Sequence, residues 1–192
     1  MSKLNRKKKL VIFGMKHFNF FVVLWYRITL FFTRKHGHVV KTQDSIRKIP
    51  EFLNFGNSYK PDPKVDILYH PSKVQKMFDT KTFKHVDCED HASYWATVIL
   101  KSNLAPKAWL GILFYIQDGK TAGHVVCVFQ DSDKNYWWGD YNYPEKLEGK
   151  WDWADKAAAG YGSVPFASAM IEVKKIKSND TPVLGKYVFH QH

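Results

Sequence analysis

The residue pattern changes at Cys88, and that change narrows the folds open to this chain. "CEDHASYWATVILKSNL" sets Ala92, Trp95, Ala96, Ile99 and Leu100 at helical spacing, with Asp87 placed to cap the helix from the preceding position. The runs "AWLGILFYIQ" and "HVVCVFQD" that follow are apolar, β-branched and aromatic. They are bounded by the turn residues "DGKTAG" and "DSDKN", which predicts neighbouring strands. "YWWGDYN" predicts a third strand, and "MIEVKKI" and "KYVFHQ" a fourth and fifth. A helix followed by an antiparallel sheet belongs to the α+β class. Upstream, Pro50, Pro61, Pro63 and Pro71 break the chain into irregular connection with short helices, one of them near 72–79.

A length of 192 residues suits one ordinary domain with an appendage rather than two independent domains. Apolar content of 45% with 16% aromatic excludes a disordered chain. The net charge of +11 is unevenly spread: residues 1–43 hold ten Lys or Arg and no acid, leaving 19 basic and 18 acidic groups in residues 44–192. The body is nearly neutral, so the charge points to an N-terminal appendage (1–43) that meets an anionic surface, and to a globular part (44–192) that does not. Cys88 and Cys127 are the only cysteines, too few for a disulfide framework.

Within the appendage, "LVIFGMKHFNFFVVLWYRITLFF" (10–32) is apolar but carries Lys16, His17, Asn19 and Arg27. On a helix at about 100° per residue, Lys9, Lys16, Arg27 and Arg34 fall within about 20° of one another, a narrow cationic stripe on an apolar cylinder. A helix of this kind can lie on a membrane surface through residues 9–35, each basic group near an anionic leaflet contributing on the order of 1 kcal/mol. It can also span, although Lys16 and Arg27 would each cost roughly 2.5 kcal/mol at the bilayer centre. Packing on the domain or on a partner subunit is the remaining reading. A membrane-associated location is the expectation, with its side left open. Nucleic acid, supported only by the basic N-terminus, is not expected as a partner.

The chemistry-bearing residues are Cys88, His124 and Asp140. A helix N-terminus stabilises a thiolate through unpaired N–H groups and the macrodipole, and Cys88 stands at that end. Of the nine histidines only His124 opens a clear central strand, "GHVVCVFQD". Strand alternation puts Val126 and Val128 on its face and Val125 and Cys127 on the other, so Cys127 reads as core. Asp140, on the next strand after a short turn, falls where it could orient the imidazole. Residue types alone leave this triad beside an equally simple reading, a buried thiol and a hydrogen-bonded structural histidine.

"DCEDHA" resembles the Gly-Asp-Cys-Glu-Asp-Tyr-Ala signature of the bacterial transglutaminase-like cysteine proteinases, in the transglutaminase-like superfamily of the papain-like fold. "HVVCVF" is similar to that family's His-Ala-Val-Leu strand and "GDYN" to its Leu-Asp-Asn element. Spacings of 36 residues from Cys88 to His124 and 16 from His124 to Asp140 suit it, over roughly residues 75–145. The resemblance implies a papain-like core with the nucleophile's helix packed on the sheet. It also implies a cysteine peptidase or amidase acting on a peptide or protein: Cys88 attacking a carbonyl, His124 as base then acid, Asp140 orienting it, and the backbone N–H of Cys88 in the oxyanion hole. No cofactor is required. The resemblance further maps a calcium role onto Asp87 and Glu89, against which stands simple helix capping by Asp87 and dipole stabilisation by Glu89 and Asp90. Val86 and His91 depart from the signature's usual Gly and Tyr, and His85 or Asn57 would have to complete the oxyanion hole.

Two other functions fit parts of this pattern. An NlpC/P60-type peptidoglycan endopeptidase also opens a helix with "DC" and a strand with "GHV", but its third residue is commonly another His. A catalytically inactive, membrane-anchored binding module would use Trp137, Trp138, Tyr141, Tyr143, Trp151 and Trp153 as a recognition face.

Overall fold

The computed structural model describes residues 3–17, 19–34, 38–53, 67–82, 86–140 and 144–192. Six antiparallel strands form one sheet in the order β4-β3-β2-β1-β5-β6. They are β1 (Lys107–Gln117), β2 (Lys120–Gln130), β3 (Tyr136–Gly139), β4 (Glu145–Leu147), β5 (Pro165–Ile176) and β6 (Pro182–Gln191). The helices are α1 (Lys3–His17), α2 (Asn19–Thr33), α3 (Lys48–Leu53), α4 (Pro71–Thr80), α5 (Cys88–Lys101) and α6 (Asp152–Ala159). The α+β expectation is met, including the helix that begins at Cys88 and the helix near 72–79.

Helices cover both faces of the sheet. On one face α5 buries Trp95, Ala96 and Ile99 with Leu110, Cys127 and Phe129 of the central strands. On the other, Trp153 and the alanines of α6 pack against Leu113, Val126, Val128 and Met170. Alternation along β2 therefore holds as expected, with Cys127 fully buried on the α5 side. Gly111 is required where α6 docks: a Cβ there would stand 3.1 Å from the Trp153 ring.

The hairpin joining β1 to β2 is tighter than expected. Gln117 pairs with Lys120 across Asp118 and Gly119, both with positive φ (49° and 70°), as a two-residue loop matched to strand twist requires. "KTAG" is therefore strand, not turn. β5 also starts earlier than "MIEVKKI" suggests, at Pro165, because the small residues Ala167, Ser168 and Ala169 are buried in the sheet.

The apolar-cationic segment over 10–32 is helical as expected, described as α1 and α2 on either side of residue 18. The basic run before residue 10 is helical too, since Lys, Arg and Leu are good helix formers. Met15, Val23, Tyr26 and Leu30 join the α5-side core, and one Nη of Arg27 donates to Leu184 O of β6 at 2.6 Å. The segment beyond α2 is pinned as well. Val40 N–H donates to Asp180 Oδ2 at 2.7 Å, while Lys101 Nζ donates to Val40 O at 2.8 Å and to Asp180 Oδ1 at 2.7 Å. Among the described residues no helix is long and apolar enough to cross a membrane.

Candidate active site

Local chemistry fixes where α5 starts. Asp87 holds extended backbone, φ −121° and ψ −161°, as an N-cap does, and Asp90 three residues on completes a capping box with it. Asp90 Oδ2 accepts from Asp87 N–H at 3.4 Å and its Oδ1 from Tyr69 N–H at 2.6 Å, so this carboxylate ties the helix start to the chain entering α4. Cys88 is thereby set as the first residue of the helix.

The strands supply the place it points to. β3 ends at Gly139, opposite Cys127, so β2 runs on beyond its β3 partner. The Val125 backbone, in that stretch, acts to lower the Cys88 thiol. His124 precedes Val125 and Asp140 follows Gly139, so the end of the β2–β3 ladder carries both, with His124 on the strand face of Val126 and Val128. Gly139 is needed at this corner, since a Cβ there would stand 3.1 Å from the buried Trp95 ring.

His124 is buried and its Nε2 lies 2.8 Å from Asp140 Oδ2. A carboxylate only accepts, so Nε2 carries a proton and donates, leaving Nδ1 of the neutral ring as an acceptor. The Tyr161 hydroxyl is 3.5 Å from that Nδ1, a long contact, and its ring meets His124 edge-on with centroids 5.3 Å apart. Tyr161 in turn stacks on Tyr115, centroids 5.0 Å apart. Burial, reinforced by Cys88 and Asp140, raises the Tyr115 phenol, which places that ring within the field of both groups.

One expectation is reversed. The helix N-terminus was expected to favour a thiolate, but burial first, then the carboxylates of Glu89 and Asp87, push the Cys88 thiol well above its ordinary value. Only the Val125 backbone acts in the opposite sense. Cys88 Sγ donates to Glu89 Oε2 at 3.4 Å, so the side chain rests as a thiol. One turn along α5, burial and the neighbouring His124 lower His91 to about 3, which keeps that ring neutral.

Asp87 and Glu89 are the pair to which the resemblance maps calcium. Both are buried, one shaping the helix cap and the other accepting from the thiol, whereas calcium takes 6–8 oxygen ligands. Among the described residues no group of three or more His, Cys, Asp or Glu side chains could hold a metal.

The proposed recognition face is divided. Trp137 stacks on Phe129 on the α5 side, Trp138 lies on the α6 side, and Trp153 is fully buried. Neighbouring strand residues point to opposite faces, and the burial of Trp153 fits a core role for part of this set. Tyr141, Tyr143, His85 and Asn57 lie outside the described residues. Tyr115 and Tyr161 were not anticipated as site residues. The signal for Tyr161 was its position between Gly160 and Gly162, directly after α6.

No protein-family model matches the chain, and no curated protein matches it.

Proposed function

We propose that the protein is a cysteine hydrolase of the transglutaminase-like, papain-like type, a peptidase or amidase held at a membrane surface by its N-terminal helices. The observation that carries this reading is the His124–Asp140 hydrogen bond at 2.8 Å, which leaves His124 Nδ1 as an acceptor one residue before Val125, whose backbone acts on the Cys88 thiol. As Sγ attacks a substrate carbonyl carbon, His124 Nδ1 takes the thiol proton and the carbonyl π pair moves to oxygen. The backbone N–H of Cys88 and its neighbours at the helix start stabilise that oxyanion. Collapse breaks the C–N bond, His124 returns the proton to the leaving amine, and an acyl-thioester remains. Water then forms the new C–O bond, and the S–C bond breaks with the proton going back to sulfur. An amine in place of water gives amide transfer through the same thioester.

Reaction with p-nitrophenyl acetate tests this. The expected result is a burst of one nitrophenolate per chain, an acetyl group on Cys88 by peptide mass mapping, and a rate lower by about 10²–10⁴-fold in His124→Ala. Acetylation of Cys88 at an unchanged rate in His124→Ala would overturn it.

A second reading, a binding module of the same fold without chemistry, draws on the raised Cys88 thiol. It predicts no acyl intermediate in either protein.

A further inference from the structure

Away from the catalytic residues, α2 and the hairpin between β5 and β6 enclose a groove of about 790 Å³. Its location is remote in the topology, since β6 is the sheet edge opposite to β3 and β4. Among the described residues three cations line it, Arg27, Arg34 and Lys177, and no acid does. The rest of the lining is largely apolar, with Leu30, Phe31 and Phe32 from α2 facing Pro182, Val183 and Leu184 from β6. The volume lies in the ordinary range for ligand clefts, roughly 300–1,000 Å³.

Two further features distinguish this groove from a mere gap between elements. Its helix wall continues into an apolar surface: Phe31 and Phe32 are 76% and 78% exposed, and Phe20, Phe21, Leu24, Trp25 and Ile28 are exposed along the same helix. Exposed apolar area of this extent marks an interaction surface. The groove is also firm. The Arg27 bond to Leu184 O joins its two walls, and the Lys101–Asp180 pair holds Val40 against the hairpin turn. Asp180, in the hairpin between β5 and β6, is itself buried in that pairing.

We propose that this groove seats one anionic phospholipid of a bilayer, its phosphate against Arg27, Arg34 and Lys177 and its acyl chain along Phe31, Phe32 and Val183, while the exposed aromatics of α2 enter the surrounding headgroup layer. Charge complementarity argues for this occupant. A zwitterionic or neutral apolar ligand would leave three cations unmatched, and a simple inorganic anion would leave the aromatic walls uncovered. A phospholipid carries both halves in the required adjacency. The inference rests on the reading of the N-terminal helices as surface-associating and is independent of the Cys88 chemistry.

Sedimentation of the full chain with vesicles of phosphatidylcholine alone, or with about a third phosphatidylglycerol, provides the test. The variants are Arg34→Glu with Lys177→Glu, a charge-matched control of Lys120→Glu with Lys146→Glu on the far hairpin and the opposite sheet edge, and Phe31→Ser with Phe32→Ser. Thermal midpoint and p-nitrophenyl acetate labelling of Cys88 serve as folding readouts. The expected result is binding only to the anionic vesicles, at least tenfold weaker in the groove charge variant and in the Phe variant but within about twofold of wild type in the control. Equal weakening in both charge variants would mean that total charge alone drives binding, and would overturn the groove. So would full competition by free glycerol phosphate, which would assign the site to a soluble anion. A dimer that forms without vesicles and is dissociated by the Phe variant would give the surface to a second copy of the chain instead. Loss of Cys88 labelling with vesicle binding intact would count against the hydrolase and leave the lipid seat standing.

Discussion

Glu89 Oε2 accepts from the Cys88 thiol at 3.4 Å, and its charge is among the causes that raise that thiol. Removing the charge while keeping the shape should bring the thiol down. Glu89→Gln is therefore expected to speed iodoacetamide alkylation of Cys88 at pH 7 several-fold, whereas the wild-type thiol alkylates slowly there and accelerates only above the ordinary thiol range of about 8.5. A rate-against-pH series on both proteins checks it. Gly139 presents the other residue-scale test. Its Cβ would meet a Trp95 ring that is fully buried and cannot swing away, so Gly139→Ala should force the corner that carries Asp140 outward. Overpacking of this kind costs about 1–3 kcal/mol. The accompanying fall in Cys88 acylation, at a temperature where the variant is still folded, would separate displacement of Asp140 from plain destabilisation.

At the scale of elements, α4 depends on a single histidine. His70 Nδ1 accepts from Ser72 N–H at 3.1 Å, as an N-cap group must, so the ring proton sits on Nε2, which faces Thr181 Oγ1 at 2.9 Å. Burial, and after it the Arg34 cation, lowers His70 to about 4, against a weaker opposing pull from Asp180. Since the folded value lies below the ordinary 6.5, the stabilisation from the neutral ring is complete above about pH 6.5 and is lost as the pH falls through 4. Urea unfolding at pH 7.5 and 4.5 should show the wild type losing about 2 kcal/mol more than His70→Gln over that interval. Elements differ in how openly the sequence declares them. α5 and β2 were legible because a cap, a 3.6-residue apolar spacing and a strict alternation all agree on them, and those same features orient Cys88 and His124. α6 was not: it is only eight residues long, DWADKAAA, too short to show a clear apolar period, and its Trp153 docks over Gly111. Tyr161 was lost with it. Nor could the state of the Cys88 thiol be read from position in a helix, because burial and the direction of two carboxylates are properties of the assembled site.

Taken whole, the N-terminal segment contributes Met15, Val23, Tyr26, Leu30 and Val40 to the core. Leu30 is 1% exposed and packs with the residues under α5, so Leu30→Ala should cost about 2–5 kcal/mol in chemical denaturation, the scale of a true interior position. A chain starting at residue 44 would lack Met15, Val23, Tyr26, Leu30 and Val40 together, and is expected to lose cooperative unfolding.

The Val40 clamp has a mechanical meaning too. Its N–H and C=O are both held by the Lys101–Asp180 pair, so the chain has no slack at Val40. A protein resting on a surface through α2 would then be mounted rather than leashed, with its orientation and height fixed like those of a stylus. Cys88 would sweep a thin shell at constant altitude above that surface, and a substrate would be selected first by whether its susceptible bond crosses that shell.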